Sequence, residues 1–284
     1  MAPQTGQPPT KKSELAAIAR ASQGGVIRTN EAATALGVSS RTASARLAAL
    51  TRAGWLARVK RGVYLVVPME ADSQQQTTAE DPWLLAVALF SPCYIGGWSA
   101  AEHWGLTEQL FRSTFVATAA HIRKRTAHHL GAAFTLVRVK PNQLQNLTLV
   151  WRGSNRVLVS SRERTIVDAA IDPRWLGGFR HLADVLTAYV SGPKADPTVL
   201  LRELRRSGSG AAAKRVGYLA ERFWPSEPSL VEGALGLRST GVVKLDPAIT
   251  RRGRKCSKWG LWLNVSLDRV AAPPSPSRPP VSGS

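Results

Sequence analysis

Along residues 13–67 the apolar positions recur at helical spacing in three short segments and then switch to near-continuous apolar runs. Ser13 is placed to cap a helix over Glu14–Ala21, with Leu15, Ile18 and Ala19 on one face. Gly24 and Gly25 break it, and Val26-Ile27 suggests a brief strand. Thr29 is read as the cap of a second helix with Ala32, Ala33 and Leu36 inward, which Gly37 stops. Ser39 then caps a third helix to about Ala53, whose Ala43, Leu47 and Leu50 share one side. After Gly54, Trp55–Val59 and Val63–Val67 read as two strands joined by the basic turn Lys60-Arg61-Gly62. This pattern is a helix-turn-helix followed by a wing.

From Pro82 onward the texture is mixed. An apolar helix is predicted over Trp83–Phe90, then a turn at Ser91-Pro92, the segment Tyr94-Ile95-Gly96-Gly97 and a helix over Ser99–Trp104. Phe134–Val139 reads as a strand, and Leu147–Trp151 with Arg156–Ser160 reads as a hairpin turning through Gly153-Ser154-Asn155. Ser161 caps a helix over Arg162–Ala170, and further helices fit Gly178–Val190, Pro197–Arg206 and Ala211–Arg222. The expected fold class is α+β, an N-terminal winged helix-turn-helix followed by a larger mixed α+β domain.

At 284 residues the chain exceeds one ordinary core. The expected division is a disordered N-terminus at 1–12, a DNA-binding domain at 13–67, a polar linker at 68–82, a C-terminal domain at 83–268 and a disordered Pro/Ser-rich tail at 269–284. No signal-peptide pattern opens the chain and no apolar run is long enough for a bilayer, so a cytoplasmic protein without membrane association is expected. Cys93 and Cys256 stand far apart, which suggests neither a disulfide framework nor a zinc site.

Charge sharpens the picture. Thirty-eight lysines and arginines against nineteen acids give a net +19, a field that draws polyanions. Over residues 13–67 eight cations stand against Glu14 and Glu31, a net +6, gathered on the third helix and the wing. The open side of that helix carries Arg41, Thr42, Ala45, Ala48 and Arg52, flanked by Ser44 and Arg46, with small residues that permit close approach to a groove. The candidate DNA contacts are Ser39, Ser40, Arg41, Thr42, Ser44, Arg46, Arg58, Lys60 and Arg61. Arg41 and Arg46 suit guanine edges, the hydroxyls suit bases or phosphates, and Lys60 and Arg61 suit backbone phosphates. A second candidate basic surface combines Arg123, Lys124 and Arg125 with Arg252, Arg254 and Lys255, although charge runs more often coat a solvated face.

Catalytic patterns are sparse. His121, His128 and His129 have no Cys or carboxylate at ligand spacing, so no metal is expected. Glu163 and Asp168 are out of helical phase for a shared carboxylate site, and there is no Walker-type loop, GxSxG elbow or Cys/His nucleophile pattern. A non-enzymatic protein without cofactor is the expectation. A winged-helix regulator with a ligand-sensing domain and a DNA-directed nuclease stand as alternatives.

Five stretches carry a further signal. They are RGVYLV at the end of the wing (Arg61–Val66), YIGGWSAAEHWGLTEQ (Tyr94–Gln109), SRERTIVDA (Ser161–Ala169), KRVGYLAE (Lys214–Glu221) and KWGLWLN (Lys258–Asn264). In this order they resemble the AbiEi family of type IV antitoxins over nearly all of residues 13–268. The resemblance implies a two-domain antitoxin whose winged helix binds inverted repeats in its own promoter as double-stranded DNA. It further implies a C-terminal domain that counters a nucleotidyltransferase-like toxin, with no stable complex required. The matched stretches look structural, so no neutralising residue is carried over.

Overall fold

The computed structural model describes residues 11–22, 25–67, 81–152 and 155–267. The chain first forms α1 (Lys11–Ala21), β1 (Val26–Arg28), α2 (Thr29–Leu36), α3 (Ser40–Arg52), β2 (Leu56–Lys60) and β3 (Val63–Val66). The three strands make an antiparallel sheet in the order β1-β3-β2, with Arg28 opposite Val63 and Leu56 opposite Val66. Ile18, Ile27, Ala43, Leu47, Leu50, Leu56 and Tyr64 bury together beneath it. This is the winged helix read from the sequence, with local differences. Lys11 and Lys12 are helical, so the expected disorder to residue 12 is corrected there, and Ser13 lies inside the helix and does not begin it. Thr29 is the first residue of α2 and not its cap; the Glu31 carboxylate reaches back to accept the Arg28 backbone N–H at 2.8 Å. Ser39 does cap α3, its hydroxyl accepting the Thr42 N–H at 3.2 Å.

The remaining elements are α4 (Pro82–Phe90), β4 (Cys93–Ile95), α5 (Gly97–His103), β5 (Ser113–Thr118), β6 (Thr126–His129), β7 (Ala132–Arg138), β8 (Thr148–Arg152), β9 (Asn155–Val159), α6 (Arg162–Ile171), α7 (Phe179–Ser191), α8 (Pro197–Ser207), α9 (Gly210–Phe223), α10 (Pro228–Leu237), β10 (Val243–Lys244), β11 (Arg254–Cys256) and β12 (Leu261–Leu263). Strands β4–β9 form one mixed sheet in the order β6-β7-β5-β4-β9-β8, while β10-β12-β11 form a small second one. The expected 134–139 strand is β7, and the 147–160 hairpin is β8–β9, its Gly153 and Ser154 outside the described residues. Strands β5 and β6, helix α10 and the small sheet were not anticipated.

The chain forms two compact units that differ from the expected division near residue 70. Among the described residues, one unit takes those in 11–95 and 112–159, the other those in 96–111 and 160–267. The linker expected at 68–82 lies outside the described residues except at Asp81 and Pro82, and so do residues 1–10 and the tail expected at 269–284 apart from its approach through Leu267. Helix α4 explains why the winged helix and the large sheet share a unit. It is apolar nearly all round, with Trp83, Leu85, Ala86, Ala88 and Leu89 buried, and a helix of that kind needs neighbours on several sides. It packs on β1 as well as on β4, β5 and β9. Asp81 caps it, accepting the Trp83 N–H at 2.8 Å, with Pro82 in the first turn.

In the second unit α6 packs against α5, α7, α8 and α9, which is why seven consecutive residues from Arg164 to Ala170 are buried. The charges in that core are matched. Arg164 pairs with Asp168 one turn on at 2.7 Å. The Arg215 guanidinium donates to the carbonyls of Ala170, Ile171, Lys244 and Leu245, satisfying the open end of α6; burial pulls its pKa down to about 10. Asp246 accepts the Phe179 N–H at 2.9 Å and so caps α7, whose own N-cap is Gly178. A side chain at Gly178 would stand 3.1 Å from that carboxylate oxygen at a φ of +140°, so glycine is required.

Candidate nucleic-acid interface

Helix α3 presents two faces. Ala43, Leu47 and Leu50 are buried, while Ser40, Arg41, Thr42, Ser44, Ala45, Ala48 and Arg52 are exposed. No Asp or Glu occurs between Ser40 and Arg52, so the exposed face is uniformly neutral or cationic. Alanines at 45 and 48 between Arg41 and Arg52 leave room for a groove wall to approach the helix backbone. The Ser39 hydroxyl caps the helix and also hydrogen-bonds the Thr42 hydroxyl at 2.9 Å, so these two expected contacts hold each other at the tip of α3.

Two of the expected DNA-contacting cations are differently employed. The Arg46 guanidinium lies 2.8 Å from the Glu14 carboxylate and is half-buried, clamping α3 to α1. Its place beside Ala43, Leu47 and Leu50 turns it toward the neighbouring helix, so the sequence reading of a guanine contact is redirected. Lys60 donates to the Leu89 carbonyl at 2.7 Å, at the C-terminal end of α4. Burial, and then the nearby Arg28 charge, pull its pKa below the ordinary lysine range. Lys60 thus tethers the wing through its ammonium while its side chain stays exposed, as do those of its neighbours Arg58 and Arg61. Gly62 completes the turn at φ +75°, its carbonyl accepting the Thr29 N–H at 3.0 Å and fixing the wing to the start of α2.

The six residues of the second candidate surface belong to two different units. Arg123, Lys124 and Arg125 are exposed just ahead of β6, in the same unit as the winged helix. The far end of β6 returns toward the wing, because the His129 ring meets Phe90 at 6.3 Å and Phe90 follows the residue that Lys60 holds. Arg252, Arg254 and Lys255 are exposed in the other unit, on and beside β11, with the Arg252 guanidinium 5.8 Å from the Trp262 ring. They do not form one patch with the first three within a single unit.

Glu163 and Asp168, the carboxylates weighed for catalysis, and the nearby Asp172 each have a partner. Asp168 is paired with Arg164, Glu163 accepts from Tyr189 at 3.0 Å, and Asp172 lies 2.7 Å from Arg174. Among the described residues no group of three His, Cys, Asp or Glu is placed to hold a metal ion, and no helix is long and apolar enough to cross a membrane. Burial pushes the Cys93 thiol up to about 12, so at neutral pH it is an inert core group.

The stretches that carried the family resemblance are packing and capping sites in this fold. Ser161 caps α6, Arg215 closes its end, and Trp259 donates its indole N–H to Glu221 at 2.7 Å. Asn264 hydrogen-bonds the backbone of Asp246 in both directions.

Residues 14–67 match a protein family described as "Transcriptional regulator, AbiEi antitoxin", the family anticipated from the sequence. The match covers the winged helix. No curated protein matches the chain. Among solved structures, the chain is similar to the crystal structure of the RV2827C protein from Mycobacterium tuberculosis, with a TM-score of 0.59 and 21% sequence identity over 90% of this chain and 92% of that one. The likeness is one of fold and extends through the mixed α+β region.

Proposed function

We propose that this protein is the autorepressing antitoxin of a type IV, abortive-infection toxin–antitoxin pair. It acts in the cytoplasm, without catalysis or cofactor. Its winged helix binds inverted repeats in its own promoter, and the rest of the chain counters a nucleotidyltransferase-like toxin. The observation that carries the reading is the acid-free exposed face of α3, with Arg41 and Arg52 bracketing two alanines, inside the segment matched to the antitoxin family.

The structural division of cations makes this testable by salt dependence. Each phosphate neutralised contributes about −0.9 to the slope of log affinity against log salt. In mobility-shift titrations of the full chain on the DNA upstream of its gene, Arg61→Ala is expected to make the slope shallower by about one unit. Lys60→Met is expected to leave the slope nearly unchanged, because its ammonium is engaged by the Leu89 carbonyl. Equal slope losses from both variants would contradict the assignment of Lys60 as a tether. Replacing Arg123, Lys124 and Arg125 together tests whether the duplex reaches past the wing to β6, with a loss of roughly two to three units expected.

Neutralisation is measured separately, by co-expression with the adjacent gene. Protection by the wild-type chain that survives loss of promoter binding supports the two-part reading. A neighbour that is not toxic, or a promoter bound no better than random DNA, overturns it.

A further inference from the structure

The two edges of the six-stranded sheet are built differently. β6 is bordered by Arg123, Lys124 and Arg125 and exposes His128, and charge of this kind discourages another strand from pairing there. β8, at the opposite edge, reads Thr-Leu-Val-Trp-Arg. Its centre has no proline and no charge, and its register with β9 is regular over all five pairs. Among the described residues no strand pairs with its outer side.

One face of this edge is also uncovered. Leu149 and Trp151 are 54% and 60% exposed, among the most exposed large apolar side chains of the described residues. They stand opposite Leu158 and Arg156 on β9, and the Arg156 guanidinium lies 4.4 Å from the Trp151 ring centre. No carboxylate among the described residues pairs with Arg156. The opposite face is the occupied one, where Arg152 lies over the Trp83 ring of α4 at 4.1 Å.

We propose that the β8 edge is a docking site for an extended, acidic segment of a partner protein, which adds as a seventh strand. Main-chain hydrogen bonds supply the pairing, an apolar side chain on the Leu149/Trp151 face covers that face, and an Asp or Glu two positions along, on the same face, reaches Arg156. Charge selects this occupant over a second copy of the chain. A second β8 brings no carboxylate, leaves both copies of Arg156 unmatched and joins two chains of net +19. The site is independent of promoter binding, so it survives if the antitoxin reading fails.

The test uses the full-length protein and two capped octapeptides, Thr-Val-Thr-Glu-Thr-Val-Thr-Glu, whose Val and Glu side chains share one face of the strand, and its Glu→Lys counterpart. Amide hydrogen exchange of residues 148–152 is expected to slow with the glutamate peptide and not with the lysine one. Trp151→Ala removes an exposed side chain and is expected to abolish the protection. Arg156→Glu is expected to weaken the glutamate peptide roughly tenfold and to transfer the preference to the lysine peptide. Equal protection by both peptides, or by neither, overturns the proposal. Protection that rises with protein concentration alone, accompanied by dimers in sedimentation velocity, overturns it in favour of self-pairing.

Discussion

Arg41→Ala is expected to weaken promoter binding by about 10- to 100-fold while affinity for random duplex falls only a few-fold. Arg41 is exposed in the first turn of α3, beyond the Ser39 cap, and no carboxylate among the described residues holds it. A bidentate arginine–guanine contact discriminates by about 1–3 kcal/mol, and losing one phosphate contact costs much less and costs it on every sequence alike. The informative quantity is therefore the ratio of specific to random binding, measured at fixed salt. A proportional loss on both DNAs would place Arg41 on the backbone and shift base reading to Thr42, Ser44 or Arg52. Arg46→Ala serves as the contrast. Because its guanidinium is paired with Glu14, its loss is expected to lower the melting temperature of the winged helix more than it changes sequence preference.

The second large effect lies far from DNA. Gly217→Ala is expected to destabilise the second unit by about 1–3 kcal/mol, although alanine is the better helix former by about 1 kcal/mol. A Cβ at this position of α9 would stand 2.2 Å from the Trp259 ring and 3.0 Å from the Ala234 side chain. Trp259 is fully buried and held by Glu221, so it has no free volume into which to retreat. Gly236→Ala is the matched control, since nothing lies within 4 Å of its added methyl and it sits in helix α10. It is expected to be neutral or stabilising by up to about 1 kcal/mol. Urea unfolding of the two variants checks the pair. Equal stabilities would mean that the Trp259 packing against α9 is looser than described.

These two outcomes bear on different parts of the protein and separate recognition from architecture. Loss of promoter discrimination with unchanged stability supports α3 as the reading element. Loss of stability through Gly217 identifies the KRVGYLAE and KWGLWLN stretches as one packed joint.

What was legible in the sequence is what depends on neighbours along the chain. The helices of the winged domain follow from 3.6-residue apolar spacing, and Ser39 and Ser161 follow from the need of helix N-termini for side-chain acceptors. The wing follows from two apolar runs around a basic turn ending in glycine. The mixed α+β class was legible for the same reason. Strand β5 was not, because Thr114–Thr118 is buried throughout and lacks the alternation that marks a half-exposed strand. The cap of α7 was not, because Asp246 is 67 residues from the amide it accepts.

The same distinction governs the candidate site. The sequence located the cationic helix and wing, since charge and spacing are properties of the chain itself. Only the tertiary structure decided that Arg46 belongs to Glu14 and Lys60 to the Leu89 carbonyl, leaving Arg41, Arg52, Arg58 and Arg61 exposed. It also decided that α4, apolar on almost every side, draws the winged helix and the large sheet into one unit. A side chain's type is written in the sequence, but the partner that takes up its charge or its apolar surface is chosen by whichever distant segment the fold brings within reach.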